Sequence, residues 1–288
     1  MMMTMTRTKG WSGGPATGSR GRRRARSYAA GLALGLLAVS PAHAFAQAGE
    51  PADGFEWRGT VPGGGALEIK GVNGAIFAEG TAGSDVVVTA RARGRTSDPS
   101  TVRIERVDHA GGITFCAVYP APDGDRENVC APGDEGRMST RRNDVEVEFR
   151  VQVPAGVPFR GRTVNGPVEA LDLEGDIEVE TVNGDIRLST LGTARAETVN
   201  GSIDARMGAA TPADDLRFTT VNGGVTLAVP EGINADLDAS WLNGGLDSNI
   251  PLTLSGRVGR RSARGALGQG GATLEIETVN GSIRIRGS

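Results

Sequence analysis

Strict alternation of inward and outward positions governs the second half of the chain. Counted back from Asn183, Asn200, Asn222 and Asn280, the residues six, four and two places earlier are apolar or Thr. They are Ile177, Val179 and Thr181; Ala194, Ala196 and Thr198; Leu216, Phe218 and Thr220; Leu274, Ile276 and Thr278. Glu180, Glu197 and Glu277 stand between them. Period two predicts a strand with one buried face. After the Asn, apolar residues fall three and five places on, at Ile186 and Leu188, Val225 and Leu227, Ile283 and Ile285. Inward parity thus switches from even to odd across Asn-Gly, which predicts a corner. Asn and Gly tolerate positive φ, and the corner is expected to use it. Further turn signals follow at Leu173-Glu174-Gly175, Leu191-Gly192 and Val229-Pro230-Glu231-Gly232. Each unit therefore reads strand, corner, strand, turn.

Seven corners carry this signature, at Asn73, Asn165, Asn183, Asn200, Asn222, Asn243 and Asn280. From Asn165 onward their spacings are 18, 17, 22, 21 and 37. Repetition at this period predicts stacked units. Antiparallel hairpins also use Asn-Gly turns, but hairpins do not require the same residue at the same place in every unit. Stacking does, because equal side chains then meet their own kind at about 4.8 Å per coil. The fold expected is all-β: a single-stranded β-solenoid, parallel β-helix-like, with coils of about 18–22 residues. The outward position four after each Asn reads Glu169, Arg187, Asp204, Thr226, Asp247 and Arg284, a sequence of charges that a stack tolerates.

Before the main repeats, Leu67, Ile69 and Val72-Asn73-Gly74 make one early coil. An insert of alternating strands separates it from the rest and is expected to be an antiparallel β-cap over the solenoid end. The terminal Gly281–Ser288 segment, with Arg284 and Arg286, is expected to blunt the other end. Arg257–Gly270 reads as an inserted loop before the last copy, and Trp241-Leu242 replaces the usual Thr-Val. Trp241 is the one candidate ligand contact, through stacking on a sugar ring.

The N-terminus reads as an address. Residues 1–27 carry seven Lys or Arg and no acid; Ala29–Val39 is apolar, and small-residue cleavage patterns end at Ala44 and Ala48. That order predicts a secretory signal peptide, and the apolar run is too short to span a membrane. The expected organisation is a signal peptide at 1–48, a first coil with β-insert and disulfide loop at 49–153, and the repeat solenoid at 154–288. No transmembrane segment is expected after cleavage. Removing residues 1–48 moves the formal charge from −3 to −10, which disfavours nucleic acid as a partner. Cys116 and Cys130 are an even pair in an exported chain and predict a disulfide. His109 lies in a turn, without a nucleophile motif beside it. Asp123, Asp125 and Glu127 lack the spacing of a calcium loop. With 44 Gly and 4% aromatic residues the composition argues against a helix bundle.

The T-V-N-G repeats, the segment C-A-V-Y-P from Cys116 to Pro120, the second Cys130 and the close V-N-G-S-I-R-I from Val279 to Ile285 resemble the bacterial putative adhesin family. That family is an exported domain of unknown function, and the resemblance covers most of residues 57–286. It implies a β-solenoid in the cell envelope and carries over no catalytic residue. Two functions follow as expectations. The first is a non-enzymatic, adhesin-like binding or scaffolding module, periplasmic or at the cell surface, with no cofactor or metal. Its partner would be a polysaccharide or an envelope or surface protein. The alternative is a polysaccharide-degrading β-helix enzyme that pairs outward carboxylates such as Glu178, Glu180, Asp185, Glu197 and Asp204.

Overall fold

A computed structural model describes residues 45–46, 49–121, 126–209, 211–254 and 259–288. The expected signal peptide falls almost wholly outside these residues, as do Asp123, Asp125 and residues 257–258 of the insertion. Apart from a single 3-10 turn at Pro99–Thr101, the described secondary structure is β.

Each Asn-Gly unit contributes one strand to each of two facing sheets, and a unit is named here by its Asn. The first sheet runs in parallel through Ala66–Lys70, Phe159–Arg162, Ile177–Asn183, Ala194–Asn200, Leu216–Asn222, Thr273–Asn280 and Ala235–Asn243. The second runs in the same order through Ile76–Thr81, Val168–Leu173, Ile186–Thr190, Ile203–Met207, Val225–Val229, Ile283–Gly287 and Leu246–Ser248. The molecule is an all-β parallel solenoid.

Parity explains why these residues make these strands. In Ile177–Asn183 the inward Ile177, Val179 and Thr181 are buried, and across the corner Ile186, Leu188 and Thr190 are buried in turn. Equal positions stack in columns. Val179, Ala196, Phe218, Ile276 and Ala239 form one column of the first sheet, each 0% exposed. The large Phe218 sits beside the small Ala196, so volume is shared between neighbouring coils. Ile76, Val168, Ile186, Ile203, Val225, Ile283 and Leu246 form the facing column.

Two sequence expectations need correction here. The last copy in the chain is not the last in the stack. The Asn280 coil lies between the Asn222 and Asn243 coils, so Arg284 and Arg286 are interior to the sheet order and do not blunt an end. Every coil offers the same pattern above and below, and the long connection before Thr273 lets the chain double back. The corners, moreover, use positive φ in only some copies. Among the described non-Gly residues only Arg142 and Asp172 have it, and of the corner glycines only Gly74, Gly166 and Gly244 do. The glycine serves close stacking instead: a Cβ on Gly201 would collide with the carbonyl oxygen of Gly184 in the next coil.

The N-terminal insert is a cap of mixed direction. Gly112–Val118 and Glu146–Pro154 add one more parallel strand to each sheet, beside Ala66–Lys70 and Ile76–Thr81. Antiparallel strands then close both sheets: Arg103–His109 on the first, Val86–Arg93 and Phe55–Gly59 on the second. At the far end, Ser262–Leu267 lies antiparallel to Ala235–Asn243. Most of the expected insertion loop is therefore a capping strand and the turn that follows it.

Candidate functional site

The corner side of the stack concentrates the repeated chemistry. Each Asn amide donates to the Asn of the neighbouring coil in one unbroken run. Asn165 Nδ2 donates to Asn73 Oδ1 at 2.9 Å; Asn183 to Asn165, Asn200 to Asn183, Asn222 to Asn200 and Asn280 to Asn222 follow at 2.8 Å each. Asn243 closes the run, donating to Asn280 at 2.7 Å. At the other end Asn73 Nδ2 reaches the carbonyl of Asn143 at 3.4 Å. An amide carries two N–H donors and two acceptor lone pairs. Each inner rung of this ladder therefore keeps one donor and one acceptor free.

Behind the ladder the Thr column secures the corners from inside. The hydroxyls of Thr163, Thr181, Thr198, Thr220 and Thr278 donate to the carbonyls of Gly74, Gly166, Gly184, Gly201 and Gly223 at 2.8–3.1 Å. These Thr residues are buried, and an unpaired buried hydroxyl would cost about 1–3 kcal/mol. The motif thus needs Thr for its hydroxyl and Gly for its bare Cα.

Beside the ladder runs a feature that the sequence reading missed. From Asn165 onward the residue before each Asn points outward and is aliphatic: Val164, Val182, Val199, Val279 and Leu242 are 36–45% exposed and Val221 is half-buried, whereas Val72 before Asn73 is buried. The signal was present in every T-V-N-G copy, since Val stands at outward parity where a charge is usual. Stacked, these residues form an aliphatic stripe along the amide row. Scattered exposed apolar residues need no explanation; an aligned series is a candidate interaction surface.

Charges on the outer face of the first sheet are largely compensated. Arg162 meets Asp134, Glu178 and Glu180, and Arg160 meets Glu178 at 3.1 Å. Arg217 lies among Glu197, Glu275 and Glu277, at 2.8 Å from Glu275. Burial pushes the Glu180 carboxyl up, while Arg162 draws it partly back. Asp185 accepts the Ser202 amide at 2.8 Å. Four of the carboxylates considered for acid and base work (Glu178, Glu180, Glu197 and Asp185) are thus engaged in holding coils together.

Cys116 and Cys130 are bonded, with Cα atoms 5.7 Å apart, and pack with Val107, Val118 and Met138. The bridge pins a strap over the outer face of the first sheet. Lys70 Nζ donates to the carbonyls of Ala131, Gly133 and Glu135 at 2.8, 2.8 and 3.0 Å, and burial lowers its pKa. The buried Glu68 accepts from the Thr114 hydroxyl at 2.7 Å and the Gly133 amide at 3.0 Å. The Tyr119 hydroxyl lies 3.1 and 3.0 Å from the Asn73 and Val145 carbonyls, which share its one proton, and burial pushes its phenol up to about 12. His109 is half-buried, accepts from the Gly111 amide at 3.2 Å and lies 3.1 Å from the Thr114 hydroxyl. Trp241 occupies the Thr column in the Asn243 coil, is half-buried, and packs against the core. Its backbone amide donates to the Arg261 carbonyl at 2.9 Å.

Among the described residues no group of three or more His, Cys, Asp or Glu is placed to hold a metal ion, and no helix is long and apolar enough to cross a membrane. The fold and this corner define the class: a β-solenoid with a laddered edge. Residues 168–286 match the Toastrack DUF4097 family, a domain of unknown function. Among solved structures, the chain is similar to a putative cell adhesion protein from Clostridium sporogenes ATCC 15579. The identity is 12%, the match covers 82% of this chain and 100% of that one, and the TM-score is 0.43. No curated protein matches.

Proposed function

We propose that this chain is an exported, non-enzymatic envelope module, adhesin-like, that binds or scaffolds an extended partner along its corner. The observation that carries the reading is the unbroken Asn ladder with the aliphatic stripe beside it. A linear polymer, polysaccharide or extended protein, meets the same donor, acceptor and apolar contact at every coil, so weak contacts add along its length. Leu242 extends the stripe at the far end, while Trp241 occupies the inward Thr column and packs against the core. The disulfide supports an oxidising compartment outside the cytoplasm. Residues 1–48 serve as the signal peptide in this reading, 49–153 as the capped N-terminal region and 154–288 as the binding solenoid.

The test pairs the wild-type chain with Val182→Asp/Val199→Asp. The two positions are neighbours in adjacent coils, where two carboxylates repel, so circular dichroism and a urea midpoint on both chains separate lost folding from lost binding. Binding is measured on immobilised envelope polysaccharides and on a purified envelope protein fraction. Wild-type retention that falls at least tenfold in the variant is expected on one of these surfaces. Equal binding by both chains, or binding by neither, removes the corner as the working surface.

A further inference from the structure

The order of the coils carries a consequence for how two molecules of this chain meet. In sequence, Val225–Val229 is followed after a five-residue connection by Ala235–Asn243. In space these coils are kept apart by the Asn280 coil, Thr273–Asn280 in one sheet and Ile283–Gly287 in the other. Below it, Thr278 Oγ1 donates to the Gly223 carbonyl at 2.8 Å, Asn280 Nδ2 to Asn222 Oδ1 at 2.8 Å, and Arg217 pairs with Glu275 at 2.8 Å. Above it, Asn243 Nδ2 donates to Asn280 Oδ1 at 2.7 Å and the Gly281 amide to the Asn243 carbonyl at 2.9 Å. Without this coil, two parallel strand edges would face each other across a slot about 10 Å wide, two strand spacings.

We propose that the Asn280 coil is an exchangeable strand pair and that the partner fitting the slot is a second copy of this chain. The slot asks for a two-strand parallel coil with Thr, Asn and Gly in register, and an ordinary extended peptide meets only one of its two sheets. Another copy's residues 273–287 make every contact that the molecule's own residues make. The hinge is the Gly268–Gly271 turn, where Gly268, Gly270 and Gly271 have φ of 59°, 79° and 149°. It is held by the Gln269 amide donating to Asn234 Oδ1 at 2.9 Å and by the Asp236 amide donating to the Ala272 carbonyl at 3.0 Å. Opening that turn sends residues 273–287 outward while the capping strand Ser262–Leu267 stays in place. Exchange of an identical element is a low-cost route to a dimer, because each hydrogen bond broken within one molecule re-forms between the two. Bare strand edges left in the slot favour refilling.

The experiment uses full-length chains with two different tags. Thr226 and Arg284 are Cα partners across the second sheet. One copy carries Thr226→Cys and the other Arg284→Cys; they are mixed, partly unfolded with urea, returned to buffer and oxidised. A single chain carrying both substitutions reports that the pair can bond. A mixture of Arg187→Cys and Arg284→Cys chains, whose coils are not neighbours, reports chance collisions. The expected result is a mixed-tag covalent dimer from Thr226→Cys and Arg284→Cys, at least tenfold above the collision mixture and rising with protein concentration. Mixed-tag dimer no higher than the collision mixture, with the doubly substituted chain bonding within itself, overturns exchange. A further arm places Thr226→Cys and Asp247→Cys in one chain. Bonding there without mixed-tag dimer means that the Asn243 coil closes the slot by itself, which also overturns it.

Discussion

The two ends of the stack are closed differently. At the N-terminal end both sheets finish on antiparallel strands, and the strap pinned by the disulfide is held to the outer face of the first sheet by Lys70 and Glu68. Asn143 stands where an eighth ladder residue would be and takes the Asn73 amide through its carbonyl. At the far end only the first sheet is covered, by Ser262–Leu267. Among the described residues the second sheet stops on the three-residue strand Leu246–Ser248. The amide ladder there ends on Asn243, whose Oδ1 takes no hydrogen bond among the described residues. Repeats propagate a stack but cannot end it, because each coil exposes the edge that the next would pair. Termination requires residues that break the repeat, and this chain commits many of them to one end and few to the other.

Core deletion gives the largest test of that contrast. Phe149, 0% exposed within the N-terminal cap, and Leu246, half-buried at the bare edge, are compared as Ala variants by denaturant unfolding. Phe149→Ala should cost about 3–5 kcal/mol, and Leu246→Ala less than half of that. Equal losses would mean that the far end is covered as well as the near one.

A smaller effect separates the middle of the ladder from its end. Asn200 makes two ladder bonds and Asn243 one. At about 1 kcal/mol per hydrogen bond, Asn200→Ala should lose about twice the stability lost by Asn243→Ala. If the two variants unfold at the same urea concentration, the ladder adds nothing beyond the backbone pairing.

Acid should distinguish the ends most weakly. Asp144 is held well below its ordinary 3.8 by the Ser97 amide, with Thr96 adding bonds of 3.0 Å. Asp134 is lowered by the hydrogen bond from Arg162, and Asp247 at the far end by the one from Arg286. Since each folded pKa lies below the unfolded one, the stability each gives is present above about pH 4 and fades as pH falls. Urea midpoints between pH 4.5 and pH 2.5 should drop less for Asp144→Asn than for wild type, with a slighter flattening for Asp247→Asn. A steeper drop in either variant would contradict the sign.

Much of the coil was legible locally. Parity before and after Asn183 fixed which side chains are buried, and the Thr and Gly of each copy announced a tight corner. The even cysteine count, the loop-scale spacing and the expectation of export pointed to the bond between Cys116 and Cys130. The reason given for Gly was incomplete, because Gly201 is required by a neighbouring coil's carbonyl and not by its own φ. The exposed stripe was overlooked, although Val182 and Val199 stood at outward parity. The ion pairs of Arg162 and Arg217 were beyond reach, since their partners come from separate coils and, for Asp134, from the strap.

By itself, then, the sequence determined the unit: two strands, a corner, a turn, and the residues each must bury. It could not determine the order of units. A coil recognises its neighbours through Asn, Thr, Gly and aliphatic columns that are almost the same in every copy, so local pattern assigns equal energy to many arrangements. Only the tertiary structure placed the Asn280 coil ahead of the Asn243 coil. There the connection through Ser262–Leu267 covers the first sheet's edge, and the Gly268–Gly271 turn carries the chain back over Asn234 into the stack. Order among equivalent coils is set by their connections and caps, whose contacts are distant in sequence.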